Sequence, residues 1–359
     1  MTREKTVLHI DMDAFYASVE KNRKDMEGPV VVCVYSGRSE DSGAVSTCSY
    51  DARELGIHAA MPITIAKDIA ENAEQEVHFV PMDKEYYRSV SDRIREEIYE
   101  RYADTVEQAS IDEAYLEIPE ETDDAVEVAE EIQKEVGEDF HLTCSIGVAP
   151  NKLVAKIASD RQKPEGLTVV REEEVRGFMY GLEIEDIHGI GEITREKLES
   201  LGINSVEELA NAENALLVEE FGENFGPTLK EKARGKDSSE VKPQEQKQIT
   251  RITTLGENSS IPRYIEKYFP ELAQEIVPKA DEKGVGFRKI SVIVIDDEIQ
   301  MHTRSTTLKS HVNDKKIIIQ EGEKLLEEFL ENFSGQVRRI GLRISDLKEI
   351  EDQSSLGDF

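Results

Sequence analysis

The chain has 359 residues, enough for two or three folding units that each bury a core. No apolar run approaches the roughly 18 residues of a membrane span, and the N-terminal MTREK leads directly into a strand-like run. We therefore expect no membrane association and no signal peptide. The cysteines Cys33, Cys48 and Cys144 are too widely separated for a disulfide framework or a zinc site, which indicates reduced thiols in a cytoplasmic protein.

The formal net charge of −32 is unevenly distributed along the chain. Residues 1–240 carry 26 Lys and Arg against 55 Asp and Glu, whereas residues 241–348 carry 18 against 17. A charge this negative opposes contact with nucleic acid. The acidic excess is interpreted as a solvated surface adapted to high intracellular salt, with a specific acidic interaction site as the alternative.

Residues 1–171 alternate strand-like and helical patterns, which predicts an α+β layer around one open sheet. The predicted strands are Val7–Ile10, Pro29–Tyr35, Val106–Ala109, Ala114–Ile118, Leu142–Val148 and Leu167–Val170. The predicted helices are Lys84–Tyr102, Thr122–Val136 and Asn151–Arg161.

The remainder of the chain divides at a polar linker, Lys236–Gln248, which contains Pro243 and has no hydrophobic period. The residues before the linker are helical with short glycine turns. After it, the pattern predicts two helices and two strands, at Tyr264–Asp281, Ile290–Ile295, Asp314–Asn332 and Val337–Ser345.

Three acidic residues have the spacing of a metal site. Asp11 ends a predicted strand, and Asp112 and Glu113 occupy a tight connection between two others. Three carboxylates converging at a sheet edge need cations, and hard oxygen ligands suit Mg²⁺. The alternative is that they are ordinary solvated turn residues, and spacing alone does not decide between the two.

Four long motifs resemble one enzyme family in content and order. They are VLHIDMDAFYASVE at 7–20, SGRSEDSGAVSTCSYDARELGI at 36–57, ASIDEAYL at 109–116 and SIGVAPNKLVAKIASDRQKPEG at 145–166. Together they resemble the error-tolerant Y-family DNA polymerases of the polymerase IV type, in particular archaeal members. The resemblance extends over residues 7 to about 348.

The resemblance implies a right-hand polymerase with five parts and no proofreading exonuclease. These are a ferredoxin-like palm (1–13 and 82–171), small fingers (14–81), a helical thumb with a helix-hairpin-helix (172–237), a linker (238–248) and an α/β little finger (249–348). Residues 349–359 would form a clamp-binding tail.

The resemblance also assigns the active-site residues. Asp11, Asp112 and Glu113 would hold two Mg²⁺ ions, with the Met12 carbonyl as a backbone ligand; Asp13 is interpreted as structural. Tyr16 matches the steric gate against ribonucleotides, and its alternative is a core aromatic.

Five further residues match the positions that hold the incoming triphosphate. Phe15 would offer its backbone amide, and Lys163 a point charge from the palm. Thr47, Tyr50 and Arg53 match the fingers positions. Lys156 fits a phosphate contact or a structural role equally.

Two regions are candidates for DNA backbone contacts. IHGIGEITREKLESLG at 187–202 is typical of a helix-hairpin-helix, in which Gly189 and Gly191 allow backbone amides to approach phosphate; a plain helical connection is the alternative. A weaker second version lies at Phe221–Gly235. Basic residues of the little finger would track phosphates, namely Arg288, Lys289, Arg304, Arg338, Arg339 and Arg343.

The C-terminal QSSLGDF resembles a sliding-clamp (PCNA) binding peptide through Gln353, Leu356 and Phe359, although it has one aromatic residue where two are usual.

The sequence therefore predicts a monomeric polymerase that extends the primer of primer–template DNA from deoxynucleoside triphosphates, with release of pyrophosphate. A metal-dependent nuclease would not need Tyr16, Thr47, Tyr50, Arg53 and Lys163. An inactive DNA-binding paralogue is disfavoured because all three carboxylates are present.

Overall fold

The computed structural model describes residues 6–39, 41–118 and 122–350. In these residues the strands, β1 to β12 in chain order, are Thr6–Met12, Val30–Tyr35, Gly43–Cys48, His78–Pro81, Thr105–Gln108, Glu113–Ile118, Cys144–Ala149, Leu167–Val169, Gln248–Ser259, Val285–Asp296, Met301–Val312 and Val337–Glu349. The α-helices, α1 to α14, are Phe15–Lys24, Tyr50–Glu54, Ile63–Ala70, Lys84–Ile94, Glu100–Tyr102, Thr122–Phe140, Lys152–Ser159, Val175–Tyr180, Glu192–Ser200, Val206–Asn211, Asn214–Ala233, Pro262–Glu266, Phe269–Glu282 and Lys315–Leu330. A π-helical turn, Arg95–Tyr99, joins α4 to α5.

The described residues form two compact units. One comprises residues 6–34 and 44–244, and the other comprises 35–39, 41–43 and 245–350. None of the helices in the described ranges is long and apolar enough to cross a membrane.

The first unit is built on a five-stranded sheet in the order β5-β6-β1-β7-β8. Strand β1 is central and runs antiparallel to both β6 and β7. In the β1–β6 register, Asp11 stands opposite Glu113 and His9 stands opposite Tyr115. Directly opposed residues of an antiparallel pair project from the same face, so the backbone places these four side chains together.

Helix α7 packs on this sheet through Gly147 of β7. A Cβ atom at position 147 would lie 2.0 Å from the carbonyl oxygen of Ala155 and 2.6 Å from the nitrogen of Ser159. Only glycine therefore permits this approach of backbone to backbone. The close packing holds α7, and with it Lys156, beside the end of β6 that carries Glu113.

Gly147→Ala is expected to lower the free energy of unfolding by about 3 kcal/mol, because backbone atoms of α7 must shift to admit the new methyl group. Denaturant unfolding monitored by circular dichroism measures the change. Gly177→Ala, in the exposed part of α8 where a Cβ meets nothing within 4 Å, is the control and should stabilise by about 0.5–1 kcal/mol. Equal effects of the two substitutions would contradict the close-packing argument.

The second unit is a four-stranded antiparallel sheet in the order β11-β10-β12-β9. One face packs against α13 and α14 through a core that includes Phe269, Ile290, Val292 and Leu342. The other face carries basic residues such as Lys289, Arg339 and Arg343 together with the buried Ser291 and Ile293. A smaller sheet of the first unit, β3-β2-β4, has its own core of residues such as Val31, Val45 and Ile57.

The predicted α+β class is confirmed, and the predicted elements are all present with shifted ends. Four strands escaped the sequence analysis, namely β3, β4, β9 and β11. The predicted helix 264–281 is two helices, α12 and α13, that meet at Lys267 and Tyr268. The predicted linker has no helix or strand before Gln248, yet it is anchored: Val241 is buried, and the Lys242 amide donates to Glu107.

Candidate active site

The site is built where β1 turns into α1. Ala14 adopts a left-handed backbone conformation, with φ of 44°, and reverses the chain between Asp13 and Phe15. Helix α1 begins at Phe15 with no side-chain cap and no acidic residue in its first turn, so its N-terminal amides remain available to an anion. The Phe15 ring is buried, which leaves its backbone as the group that faces this turn.

Asp11 is held by a lysine. Lys163 Nζ lies 2.6 Å from Asp11 Oδ2 and 2.8 Å from Asp160 Oδ1. Burial raises the pKa of Asp11 to about 6, and Lys163 opposes that rise. Burial also disfavours the charged form of Lys163, but the Asp11 and Asp160 carboxylates outweigh it and raise the pKa of the lysine.

Glu113 is held by a second lysine and a histidine. Lys156 Nζ is 2.7 Å from Glu113 Oε2, and His9 Nε2 is 3.4 Å from the same oxygen. The His9 and Lys156 contacts together lower the pKa of Glu113 to about 2 against the effect of burial. Burial lowers the pKa of His9, so its ring is neutral at pH 7, and its Nδ1 lies 2.7 Å from Ser159 Oγ.

Asp112 lies in a turn shaped by Ser110. The Ser110 hydroxyl contacts the Asp112 carboxylate and accepts hydrogen bonds from the backbone N–H groups of Asp112 (3.2 Å) and Glu113 (3.0 Å). The Asp112 carbonyl accepts a hydrogen bond from the Met12 N–H at 2.9 Å. These hydrogen bonds hold Asp112 and Glu113 beside the end of β1, where Asp11 lies.

The donor set fits a hard divalent cation. Asp11, Asp112 and Glu113 offer carboxylate oxygens only, which is the chemistry that Mg²⁺ prefers. Within the described part of the chain, no three His, Cys, Asp or Glu side chains are already arranged to hold a metal ion. Asp11 and Glu113 are instead each paired with a lysine.

A cavity of about 320 Å³ opens at this point. Its lining residues are Asp11, Met12, Ala14, Phe15, Tyr16, Ser46, Thr47, Tyr50, Arg53, Asp112 and Lys163. Nine of these eleven were predicted as metal or nucleotide residues; Ala14 and Ser46 were not. Glu113 is not in the lining, although it stands opposite Asp11 in the sheet.

Tyr16 forms one wall of the cavity and rests on a fixed base. Its ring stacks on that of Tyr87, with centroids 4.5 Å apart and planes at 19°. Tyr87 is fully buried and donates its hydroxyl to Glu20 Oε1 at 2.9 Å. Burial, together with the nearby Asp112 carboxylate, raises the pKa of Tyr16.

The opposite wall comes from β3 and α2. Thr47 is on β3, and Tyr50 and Arg53 are one helical turn apart on α2. The Arg53 guanidinium lies 4.7 Å from the centre of the Tyr50 ring. Lys163 reaches the cavity from the segment between α7 and β8, so two basic side chains, Arg53 and Lys163, are available to an anionic ligand.

The helix-hairpin-helix motif forms a turn between a 3₁₀ turn at Ile184–Asp186 and α9. Gly189 has φ of 98°, and Gly191 precedes the first residue of α9 without a side-chain cap. Lys232 Nζ donates to the His188 carbonyl at 2.7 Å and braces the turn. In the weaker second version, Gly222 interrupts α11 with φ of 83°.

The six basic residues of the four-stranded sheet do not form one group. Lys289, Arg339 and Arg343 project from the face opposite the helices, because their neighbours Ile290, Ile340 and Ile344 belong to the core. Arg304 lies over the Phe329 ring on the helix side, and Arg288 pairs with Asp346 at 2.7 Å. Arg338 lies beside the β-bulge at Val337.

The predicted tail residues Gln353, Leu356 and Phe359 lie outside the described residues.

His9, Ser110 and Asp13 contact the site but were not predicted as functional residues. Sequence position gave one signal: His9 is two residues before Asp11 on β1 and so shares its face, and Asp13 follows Asp11 by two residues, just beyond the end of the strand. Ser110 shares the ASIDEAYL motif with two of the acidic residues.

Comparison with known proteins places the chain in a family. The model of the impB/mucB/samB family matches residues 10–160, and the model of that family's C-terminal domain matches residues 246–357. The model of the DNA polymerase-iota thumb domain matches residues 185–237. DNA polymerase IV 1 of Methanosarcina mazei is 41% identical over 99% of this chain and 100% of its own length. DNA polymerase IV of Saccharolobus solfataricus is 38% identical over 96% of this chain and 97% of its own.

Solved structures agree. A Y-family DNA polymerase chimera, Dbh-Dpo4(243-245)-Dbh, matches with a TM-score of 0.88 and 34% identity, covering 96% of this chain and 100% of its own. An insertion ternary complex of Dbh DNA polymerase matches with a TM-score of 0.70 at the same identity and the same coverage.

The chain is a DNA-directed DNA polymerase and belongs to the Y family. Within that family it is of the translesion polymerase IV type and is similar to archaeal members. The right-hand fold class predicted from the motifs is confirmed. Y-family polymerases use divalent metal ions in catalysis.

Proposed function

We propose that the chain extends a primer on a DNA template, including damaged templates, by transferring deoxynucleotides to the primer 3′-hydroxyl with release of pyrophosphate. The observation that carries this proposal is the cavity at the end of β1, where acidic, basic and aromatic groups of the predicted types meet. Asp11, Asp112, Glu113 and the Met12 carbonyl would hold two Mg²⁺ ions. When bound, these would activate the attacking hydroxyl and stabilise the leaving oxygen.

The chain's own groups would bind and orient the nucleotide. Thr47, Tyr50, Arg53 and Lys163 would contact the triphosphate, with the N-terminal amides of α1 at Phe15 and Tyr16 as further donors. The Tyr16 ring, fixed by Tyr87, would occupy the space that a 2′-hydroxyl needs. The proposal includes no proofreading step.

The proposed parts of the hand follow the predicted boundaries. The five-stranded sheet would be the palm, the β3-β2-β4 sheet the fingers, α8 to α11 the thumb, and the four-stranded sheet the little finger. Primer–template DNA would contact the backbone amides at Gly189 and Gly191 and the basic residues Lys289, Arg339 and Arg343 of the face opposite the helices. Arg288 and Arg304 would contribute less, because Arg288 is paired with Asp346 and Arg304 lies over the Phe329 ring. Arg338 stays a predicted phosphate contact.

Primer extension with one labelled primer tests the function. Lengthening of the primer supports a polymerase, shortening identifies a nuclease, and an unchanged primer identifies a DNA-binding paralogue. An abasic or oxidised base in the template, placed one nucleotide ahead of the primer, tests synthesis across damage in the same assay.

Deleting Gln353–Phe359 is expected to leave unassisted extension unchanged and to abolish stimulation by a cognate PCNA. An anchored peptide acts mainly by raising the effective concentration of the polymerase at the primer terminus. Extension on a primed circular template, with and without PCNA, measures the effect. Phe359→Ala is the minimal variant and should behave as the deletion does; equal stimulation of the full chain and the deletion would exclude a clamp-binding tail.

A further inference from the structure

Asp13 is a buried carboxylate that connects three segments of the first unit. Its side chain is 2% exposed. Ser145 Oγ of β7 donates to Oδ1 at 2.9 Å, and Tyr50 of α2 donates its hydroxyl to the same oxygen at 3.3 Å. The backbone N–H of Glu165 donates to Oδ2 at 2.9 Å. The main chain of Asp13 is also fixed, because its N–H donates to the Thr143 carbonyl at 2.9 Å.

This carboxylate is stabilised by neutral donors. No lysine, arginine or histidine of the described ranges forms an ion pair with Asp13, in contrast to Asp11 and Glu113. Burying a charge without a counter-ion is costly unless hydrogen bonds satisfy it. A nonpolar residue would avoid that cost if Asp13 only filled space, so the arrangement of its donors indicates a more specific role.

Two of the three donors lead to residues proposed to bind the triphosphate. Tyr50 is itself such a residue and lines the cavity. Glu165 follows Lys163 by two positions and has a left-handed backbone, with φ of 55°, so its amide fixes the turn that presents Lys163. Tyr50 approaches from α2 and Lys163 from the segment after α7, and Asp13 lies between these two segments.

We propose that Asp13 is a positioning residue for the incoming nucleotide, whose single carboxylate sets the separation of Tyr50 and the Lys163 turn across the triphosphate site. It acts through those two groups and touches neither metal nor substrate. The inference rests on the proposed nucleotide-binding roles of Tyr50 and Lys163. It differs from a purely structural role in predicting a specific loss of nucleotide affinity.

The experiment measures single-turnover insertion of one deoxynucleotide, which separates the Kd for nucleotide from the maximal insertion rate. For Asp13→Asn, which keeps the shape but loses the charge, we expect the Kd to rise about tenfold, because a charge-assisted hydrogen bond is weakened on each arm. The maximal rate should change less than the Kd. Asp13→Ser also removes the charge and replaces Asp13→Asn if the asparagine side chain disrupts the turn. Each variant is assayed well below its own Tm.

The matched control is Glu107→Gln. Glu107 is another buried carboxylate of the same unit, bonded to Lys152, to the Lys242 amide and to Gln244, and it does not line the cavity. It should lower the Tm without changing the Kd for nucleotide. If Asp13→Asn and Asp13→Ser also lower the Tm and leave the Kd unchanged, the positioning role is wrong.

A double-substitution cycle tests the connection to Tyr50. If Asp13 acts through the Tyr50 hydroxyl, the rise in Kd of the double variant should be smaller than the product of the rises caused by Asp13→Asn and by Tyr50→Phe. A rise in Kd equal to that product would contradict the proposal.

Lys163→Met and Tyr50→Phe separate the proposed role of Asp13 from the proposed nucleotide-binding roles of Lys163 and Tyr50. An unchanged Kd in both variants would overturn their nucleotide-binding role. A raised Kd in both, with Asp13→Asn unaffected, would overturn the role of Asp13 alone.

Discussion

Glu113→Gln and Asp112→Asn are each expected to reduce the rate of primer extension by about 10³-fold or more. Each substitution removes one negative charge where the proposed mechanism needs divalent cations, and that stabilisation is worth several kcal/mol in the transition state. Glu113 faces an additional loss, because Lys156 at 2.7 Å would then lie beside a neutral amide and would oppose cation binding. Single-turnover extension under saturating nucleotide and Mg²⁺ measures the effect.

The affinity for primer–template DNA should remain within about twofold of the unaltered chain, because the proposed DNA contacts lie elsewhere. Fluorescence anisotropy of a labelled primer–template in the absence of nucleotide measures that affinity. Glu130→Gln, an exposed acid on α6, controls for the loss of one charge and should extend primers normally. Near-normal turnover by Glu113→Gln or Asp112→Asn would show that the metal site has been assigned to the wrong residues.

Tyr16→Ala is expected to reduce discrimination against ribonucleotides by about 10²-fold. The ring of Tyr16 cannot move aside, because it stacks on Tyr87, which is itself fully buried and bonded to Glu20. Truncation to alanine opens space next to the proposed sugar position, while the triphosphate contacts remain. The ratio of insertion efficiencies for a deoxynucleotide and its ribonucleotide counterpart is the measurement.

Tyr16→Phe is the matched variant for this prediction. It keeps the ring and the stacking on Tyr87 and loses only the hydroxyl, so sugar selectivity should persist if bulk is what excludes the ribonucleotide. Selectivity lost in both variants would assign the effect to the hydroxyl. Selectivity retained in both would place the gate at another residue.

Most residues that line the cavity could be predicted from motifs, because each motif is local in sequence and its parts stay together in the fold. Nine of the eleven residues that line the cavity were found in this way. The ion pairs that Lys163 forms with Asp11 and Lys156 forms with Glu113 could not be predicted. They depend on how closely α7 packs on β7, and that distance is set by the absence of a side chain at Gly147.

The missed strands have a physical explanation as well. Strand β11 is an edge strand with no fully buried residue, so it lacks the alternating pattern that identifies a half-buried strand. Strand β9 is largely half-buried and polar, so its sequence shows no strict alternation of apolar and polar residues. In the helix 84–102, the buried residues Tyr87, Ile94 and Ile98 have the spacing of an ordinary α-helix, so the pattern of apolar residues could not reveal a π-helical turn.

The position of Asp11 on the central strand has a consequence for motion. Strand β1 is hydrogen-bonded on both sides, so separating Asp11 from Glu113 requires breaking the middle of the sheet, at a cost close to the free energy of global unfolding. The β3 and α2 wall belongs to a smaller core and is joined to the acidic residues by side-chain hydrogen bonds such as that from Tyr50 to Asp13. Local opening that admits or releases a nucleotide is therefore expected to cost far less at the β3 and α2 wall, while Asp11 and Glu113 keep their spacing.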